Sequence, residues 1–466
     1  MAFTLYDIRE PDKVVLWAYD NQPVRAFESS LGTMTNPSYF VKVYRYDRSD
    51  NFEEHLVTTI RSFPNAEGFG VFNLRNVLSG CVYLEQSLLN SDEYETTWDS
   101  ANKAPTANNQ FKVKLCWGTT DNGSDTIETC SYHYVIAGSL LNEFTGSADS
   151  PWNDYVINGT SGKFLTMRPT LPFNIFLNTP TQVAYISDND RYSVSFLATN
   201  NTAGSEFDVS LDRINVLVVA AFAISETFSI TLQDVAYSGF GTQNDGEVVR
   251  ELPCGAWDIA NLKDSGGNYF YGSTLRGLIT SGSWTEIRIY AEDGLQNPEG
   301  ASYVRLLRAS SNNIDGCTTP IQLKFLNKLG GYDYLSCFAY VEQSMEMTRN
   351  TYNKTTGNYN TANATSALVL DDPLKRSRVS AATNVSRKLR VATGHIDENL
   401  NTLVEQMLVS REVLATRFKG NGTDHEAAFY PVIITDTSFS FMYKETEKVI
   451  EYKFNIEYSN QPTPLA

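Results

Sequence analysis

Short apolar runs at Val14–Tyr19, Phe40–Tyr46 and Phe111–Trp117 stand between clusters of Pro, Gly, Asn and Ser, the pattern of strands separated by turns. In the third run Phe111, Val113, Leu115 and Trp117 alternate with Lys112, Lys114 and Cys116, which predicts a half-buried strand. Asn122-Gly123 then precedes a run from Tyr132 to Ile136, so the pair reads as a hairpin whose turn residues tolerate positive φ. Further on, Tyr192, Val194 and Phe196 alternate with serines, as do Phe228, Ile230 and Leu232 with Ser229 and Thr231. Val216–Ala223 lacks alternation and predicts a strand covered on both faces. Thr285–Ala291, Tyr303–Arg308, Ile321–Leu326 and Tyr334–Tyr340 continue the series.

One helix is expected. Leu400, Leu403, Val404, Met407 and Leu408 recur at helical spacing, with Glu398, Asn399, Glu405 and Gln406 on the other face. Asp397 stands where its carboxylate can accept the first orphan amides. Strands are expected at Pro431–Thr435 and Phe439–Tyr443. In the last one Ile450, Tyr452, Phe454, Ile456 and Tyr458 alternate with Glu451, Lys453, Asn455 and Glu457.

These elements predict a mainly β chain, with several sandwich-like (Ig-like) β domains in series and a small C-terminal α+β unit carrying one amphipathic helix. The 466 residues leave room for about three domains. The expected division is β domains at 1–150, 151–260 and 261–345, a polar arm at 346–392, and the α+β unit at 393–466. A Ser-, Asn- and Gly-rich connector is expected at 138–162. No fixed-period repeat supports a propeller or solenoid.

Charge changes the picture at one place. The chain carries a formal charge of -17, which disfavours a nucleic-acid partner. Residues 346–392 hold eight basic and three acidic residues, a surplus of five that leaves -22 for the rest. Arg349, Lys354, Lys375, Arg376 and Arg378 are therefore candidate interaction residues, by which an arm could lie on the acidic body of another copy.

Candidate chemistry is sparse, and neither an enzyme nor a cofactor or metal site is expected. His55, His133, His395 and His425 show no metal-ligand spacing. The run 158–163 (NGTSGK) lacks the first Gly and the final Ser or Thr of a phosphate loop. The Asp-rich stretches 121–125 and 187–190 lack the Gly and distal Glu of a calcium loop. Glu53-Glu54 and Asp371-Asp372 are sequence neighbours, which in a strand point to opposite faces. Cys81, Cys116, Cys130, Cys254, Cys317 and Cys337 form no C-x-x-C pair and read as buried reduced thiols. The sequons at Asn158, Asn353, Asn363 and Asn384 read as polar loops. Met1–Asp7 shows no basic and apolar leader pattern, so no export signal is expected. The apolar run Ile214–Ile224 falls far short of the roughly 20 residues of a membrane-spanning helix.

The stretch 325–334 (FLNKLGGYDY) places Gly330 and Gly331 where a turn or a close backbone approach excludes a Cβ. This turn motif (Asn327, Gly330, Gly331, Tyr332, Asp333) resembles a signature of tail-associated virion proteins from phages of Bacteroidetes-type bacteria. Leu408-Val409-Ser410, the stretch 431–436 (PVIITD) and Ile456-Glu457-Tyr458 extend the similarity, and 164–169 (FLTMRP) is a looser match upstream. Tyr332 stands where the signature more often has Trp, and the Asn/Thr-rich stretch 349–367 is longer than in the pattern. The resemblance implies a structural part of the tail or neck, made in the host cytoplasm and located in the virion. Its implied partners are copies of itself, as a ring or other homo-oligomer, and other virion proteins. The alternative is a receptor- or carbohydrate-binding protein at the tail tip or on a bacterial surface, with Trp152 or Trp284 stacking on a host glycan.

Overall fold

The computed structural model describes residues 3–7, 15–19, 23–47, 53–81, 97–98, 110–138, 163–171, 181–197, 213–220, 225–231, 249–264, 267–292, 298–309, 320–339, 341–353, 378–417, 426–436, 440 and 449–459. The chain is mainly β, as its alternation predicts.

A five-stranded sheet runs Val15–Trp17, Ser124–Ile136, Gln110–Asp121, Ser38–Asp47, Glu53–Ser62. Its central hairpin turns at Asn122 and Gly123, with φ of 44° and 83°, as a two-residue turn requires. Val113, Leu115 and Trp117 are buried, and Lys114 on the opposite face meets Glu54 at 3.0 Å.

The cysteine expectation is corrected here: Cys116 and Cys130 lie opposite each other in the hairpin and form a disulfide. The register shift between Trp117 and Gly118 brings this about, because it moves the partner of Cys116 by one residue. Cys81, Cys254 and Cys337 are free and buried, while Cys317 lies outside the described residues.

A six-stranded sheet follows in the order Thr170–Leu171, Thr181–Ile186, Pro298–Arg308, Trp284–Glu292, Arg213–Ala220, Ser225–Thr231. Strands on both sides of residue 260 share this sheet, so no boundary falls there between separate β units. Ile214, Val216 and Val218 are fully covered and Leu217 and Val219 half-covered, close to the expected two-sided burial. Two short helices, Ala256–Asn261 and Ser273–Thr280, bury Ile259, Leu275 and Ile279 beside it. Neither was expected, since six and eight residues are too few to display a helical period.

The third large sheet has seven strands, in the order Tyr332–Cys337, Ile321–Leu326, Val413–Arg417, Glu426–Ile434, Val449–Tyr458, Arg378–Asp397, Val341–Asn353. The expected helix is present at Asn401–Val409 after a short 3-10 turn, and Asp397 accepts the Asn399 amide at 2.8 Å. It lays Leu403, Val404 and Met407 on the sheet. In the last strand Ile450, Tyr452, Phe454 and Ile456 are buried, as predicted. Of the expected strand Phe439–Tyr443, Phe439 and Phe441–Tyr443 lie outside the described residues.

Residues 346–392 differ from the expected arm. Val341–Asn353 pairs antiparallel with 378–391 of the strand Arg378–Asp397, so both ends of the segment are strand, and only 354–377 lie outside the described residues. Neither face of the first strand is buried, so its sequence shows no apolar alternation.

Replacing Phe454 by Asp will place a charge in the core of the last sheet and cost several kcal/mol, about 4 or more. Glu457→Asp on the wetter face will change stability by less than about 0.5 kcal/mol. Urea unfolding of both variants measures the contrast; equal losses would mean the strand faces are assigned wrongly.

Candidate functional site

Two features stand out: the buried turn motif and the exposed hairpin ribbon.

The turn between Ile321–Leu326 and Tyr332–Cys337 is organised by the Asn327 side chain. Its Oδ1 accepts the amides of Leu329 (2.9 Å) and Gly331 (3.1 Å), while Nδ2 donates to the Leu165 carbonyl (2.9 Å) and to Asp333 Oδ2 (2.8 Å). All four hydrogen-bonding positions of one buried amide are thus used. Gly330 has φ of 87°, and a Cβ on Gly331 would collide with the Leu165 carbonyl. Asp333 also accepts the Thr166 hydroxyl and, at 2.8 Å, the Met167 amide. Arg168 donates to the carbonyls of Val183 (3.0 Å) and Tyr334 (2.5 Å).

The two signature stretches, 164–169 and 325–334, are therefore one structural unit, although more than 150 residues separate them. Two further stretches, 408–410 and 431–436, end in polar locks as well. Ser410 Oγ lies 2.7 Å from the Leu326 carbonyl and 2.8 Å from that of Glu412, and it can donate to one at a time. Asp436 accepts the Asn455 backbone amide and side-chain amide, each at 2.7 Å.

Beside the turn lies a cluster that sequence spacing does not reveal. Tyr332 donates to Glu412 Oε2 at 2.6 Å, Lys324 Nζ sits 4.4 Å from the Tyr332 ring centre, and Glu251 Oε2 is 3.5 Å from Lys324. Tyr334 shares a 2.5 Å hydrogen bond with Ser193. Burial pushes the carboxyls of Asp333 and Glu412 above the ordinary carboxylate range, and burial together with the Glu412 charge pushes the Tyr332 hydroxyl well up. Its chemistry is that of a fastening. Its members come from strands distant in sequence, and only Tyr332 and Tyr334 fall within a recognisable motif.

The candidate interaction residues are dispersed. Arg349 and Arg378 are exposed on the paired strands, with Arg378 Nε donating to Thr351 Oγ1 at 3.0 Å. Lys354, Lys375 and Arg376 lie outside the described residues. Arg378–Asp397 meets the last strand only from Lys388 onward. The part beyond, 378–387 with 345–353, is a two-stranded ribbon that leaves the sheet. Met345, Met347 and Tyr352 on it are about half exposed, at 54%, 48% and 51%.

Other candidates resolve as structural groups. Trp284 is 1% exposed, donates its indole N–H to Asp188 and lies under the Arg308 guanidinium, so it cannot stack on a sugar. Trp152 lies outside the described residues. Asp121 accepts the Thr35 amide, Asp125 pairs with Arg61 and Lys42, and Asp190 accepts from Ser187 and Ser336. Among the described residues no three His, Cys, Asp or Glu side chains gather as a metal site, and no helix is long and apolar enough to cross a membrane.

No protein-family model and no curated protein matches the chain. Among solved structures, Salmonella alpha-2-macroglobulin reacted with methylamine is 8% identical, with a TM-score of 0.18 over 97% of this chain and 23% of its own. The plexin A4 extracellular region (8%, TM-score 0.16, 68% and 26%) and latent PorU from Porphyromonas gingivalis (8%, TM-score 0.15, 69% and 27%) are similarly distant. The chain spans about a quarter of the length of these structures, and likeness of this size assigns no function.

Asn327→Ala will strand two amides, one carbonyl and part of Asp333 in a dry site, at a cost of about 3 kcal/mol or more by urea unfolding. Asp333 binds its proton more tightly in the native than in the unfolded chain. Its contribution is therefore fully present below the unfolded value and is lost as pH rises through the native one. Melting of Asp333→Asn against the parent between roughly pH 4 and 7 will show a shallower fall for the variant; identical slopes would refute that sign.

Proposed function

We propose that the protein is a structural component of a tailed-phage virion, in the tail or neck. It acts by homo-oligomerisation and by binding other virion proteins, without a catalytic step. The observation that carries this reading is the ribbon of 345–353 and 378–387. The 345–353 strand of this ribbon is exposed on both faces, and isolated two-stranded hairpins are marginal in water unless something covers them. Assembly supplies the cover. The phage assignment rests on the resemblance of 164–169 and 325–334 to the tail-protein signature, and these two stretches meet in one buried node.

The edge of the ribbon offers unpaired backbone groups for strand addition, and Arg349 and Arg378 bring positive charge toward acidic neighbours. A glycan-binding role has no comparable support, since Trp284 is a core residue.

Peptide mass mapping of purified particles will find this chain in the virion. Trypsin will nick the free protomer first within Arg349 to Arg378, and the same sites will be protected in the particle. Equal cleavage in both forms would remove the assembly role from the ribbon.

A further inference from the structure

We infer that Val341–Asn353 is a self-pairing edge, by which two copies of this chain join their seven-stranded sheets into one continuous antiparallel sheet about a twofold axis at Met347. This rests on the assembly reading above and specifies its partner.

The strand is the last of its sheet, and among the described residues it pairs on one side only. The opposite side of this thirteen-residue strand presents the backbone donors and acceptors of alternate residues. Long exposed edges are normally shortened, bulged away or covered. Here the only irregularity, between Asn350 and Thr351, lies in the pairing with the inner strand.

The strand is also self-complementary. Met347 is its central residue, so a twofold axis there pairs Val341 with the partner's Asn353 and every residue between with one across the axis. Met347 then meets the partner's Met347, and Met345 meets the aliphatic stem of the partner's Arg349. On the other face Glu346 meets the partner's Thr348, and Glu342 meets the partner's Tyr352, whose hydroxyl is a donor for the carboxylate. Three half-exposed apolar side chains of each copy, Met345, Met347 and Tyr352, are covered together.

Charge is compatible with this register and disfavours some of its neighbours. An axis at Glu346 or at Arg349 would set like charges directly opposite each other, which destabilises a strand pair. The axis at Met347 places no two like charges opposite. The strand itself carries Glu342, Glu346 and Arg349, so it is slightly acidic, whereas its inner neighbour carries Arg387, Lys388 and Arg390. Glu346 is already matched by Lys388 at 3.0 Å. Two such edges therefore meet without the repulsion that two basic strands would create. A closed twofold contact is also the commonest symmetry among homo-oligomers.

The test uses the full-length purified protein in sedimentation equilibrium across roughly 1–100 µM. The parent will dimerise. Met347→Lys, which sets two ammonium groups on the axis while altering an exposed side chain, will raise the dimer dissociation constant about tenfold or more with an unchanged melting temperature. Met347→Cys will form a disulfide-linked dimer under mild oxidation far faster than Val409→Cys, a control at a site 69% exposed elsewhere on the molecule. A monomeric parent, a dimer that Met347→Lys leaves intact, or equal cross-linking of the two cysteine variants would overturn the inference. None of these outcomes depends on particles: peptide mapping of the virion tests the function, and the dimer tests the edge.

Discussion

The fold depends on one buried polar node, the mutual satisfaction of Asn327 and Asp333 by the segment 164–168. Backbone groups in an irregular turn cannot be buried unless each finds a partner, and Asn327 supplies partners for two amides and one carbonyl of different segments. Asp333 does the same for Thr166 and the Met167 amide. Because these groups are enclosed, their loss would not be repaired by water. The node therefore fixes where an otherwise extended segment crosses the third sheet.

That position matters because the hairpin carrying the node is a wall shared by two cores. Leu326, Tyr332 and Tyr334 pack into the larger core, with Tyr192, Phe196 and Phe429. Ile321, Leu323, Phe325 and Leu335 pack into the smaller one with Phe454 and Met407. Gln322 reinforces the join, accepting the Arg191 amide at 3.1 Å and donating to the Arg191 carbonyl at 2.6 Å. The ribbon stands apart from this economy. Its first strand lends its own chain hydrogen bonds but almost no apolar burial.

Local features were legible in the sequence, because alternation and helical spacing are themselves consequences of one-sided burial. The hairpin at Asn122-Gly123, the helix at Asn401–Val409 and the buried face of the last strand all follow from neighbours in the chain. Contacts set by register or by distant segments were not legible. Counting outward from the Asn122-Gly123 turn places Cys116 opposite Thr129, and only the irregularity at Trp117 delivers it to Cys130. Ser193 and Ser195 read as outward-facing, yet both are buried, because Tyr334 and the Tyr332 amide take up their hydroxyls. The ribbon read as an arm because a strand with two wet faces has no period to display. Of the candidate site, Asn327, Gly330, Gly331 and Asp333 could be singled out from the turn, whereas Glu251, Lys324 and Glu412 could not, since nothing in their spacing brings them together.

Scanning calorimetry of the parent chain and of Asn327→Ala tests the shared wall most directly. The account predicts that the two cores melt in one cooperative transition in the parent, and that loss of the node lowers or splits it. Two separate transitions in the parent, both indifferent to Asn327→Ala, would contradict the claim that this node holds the cores together.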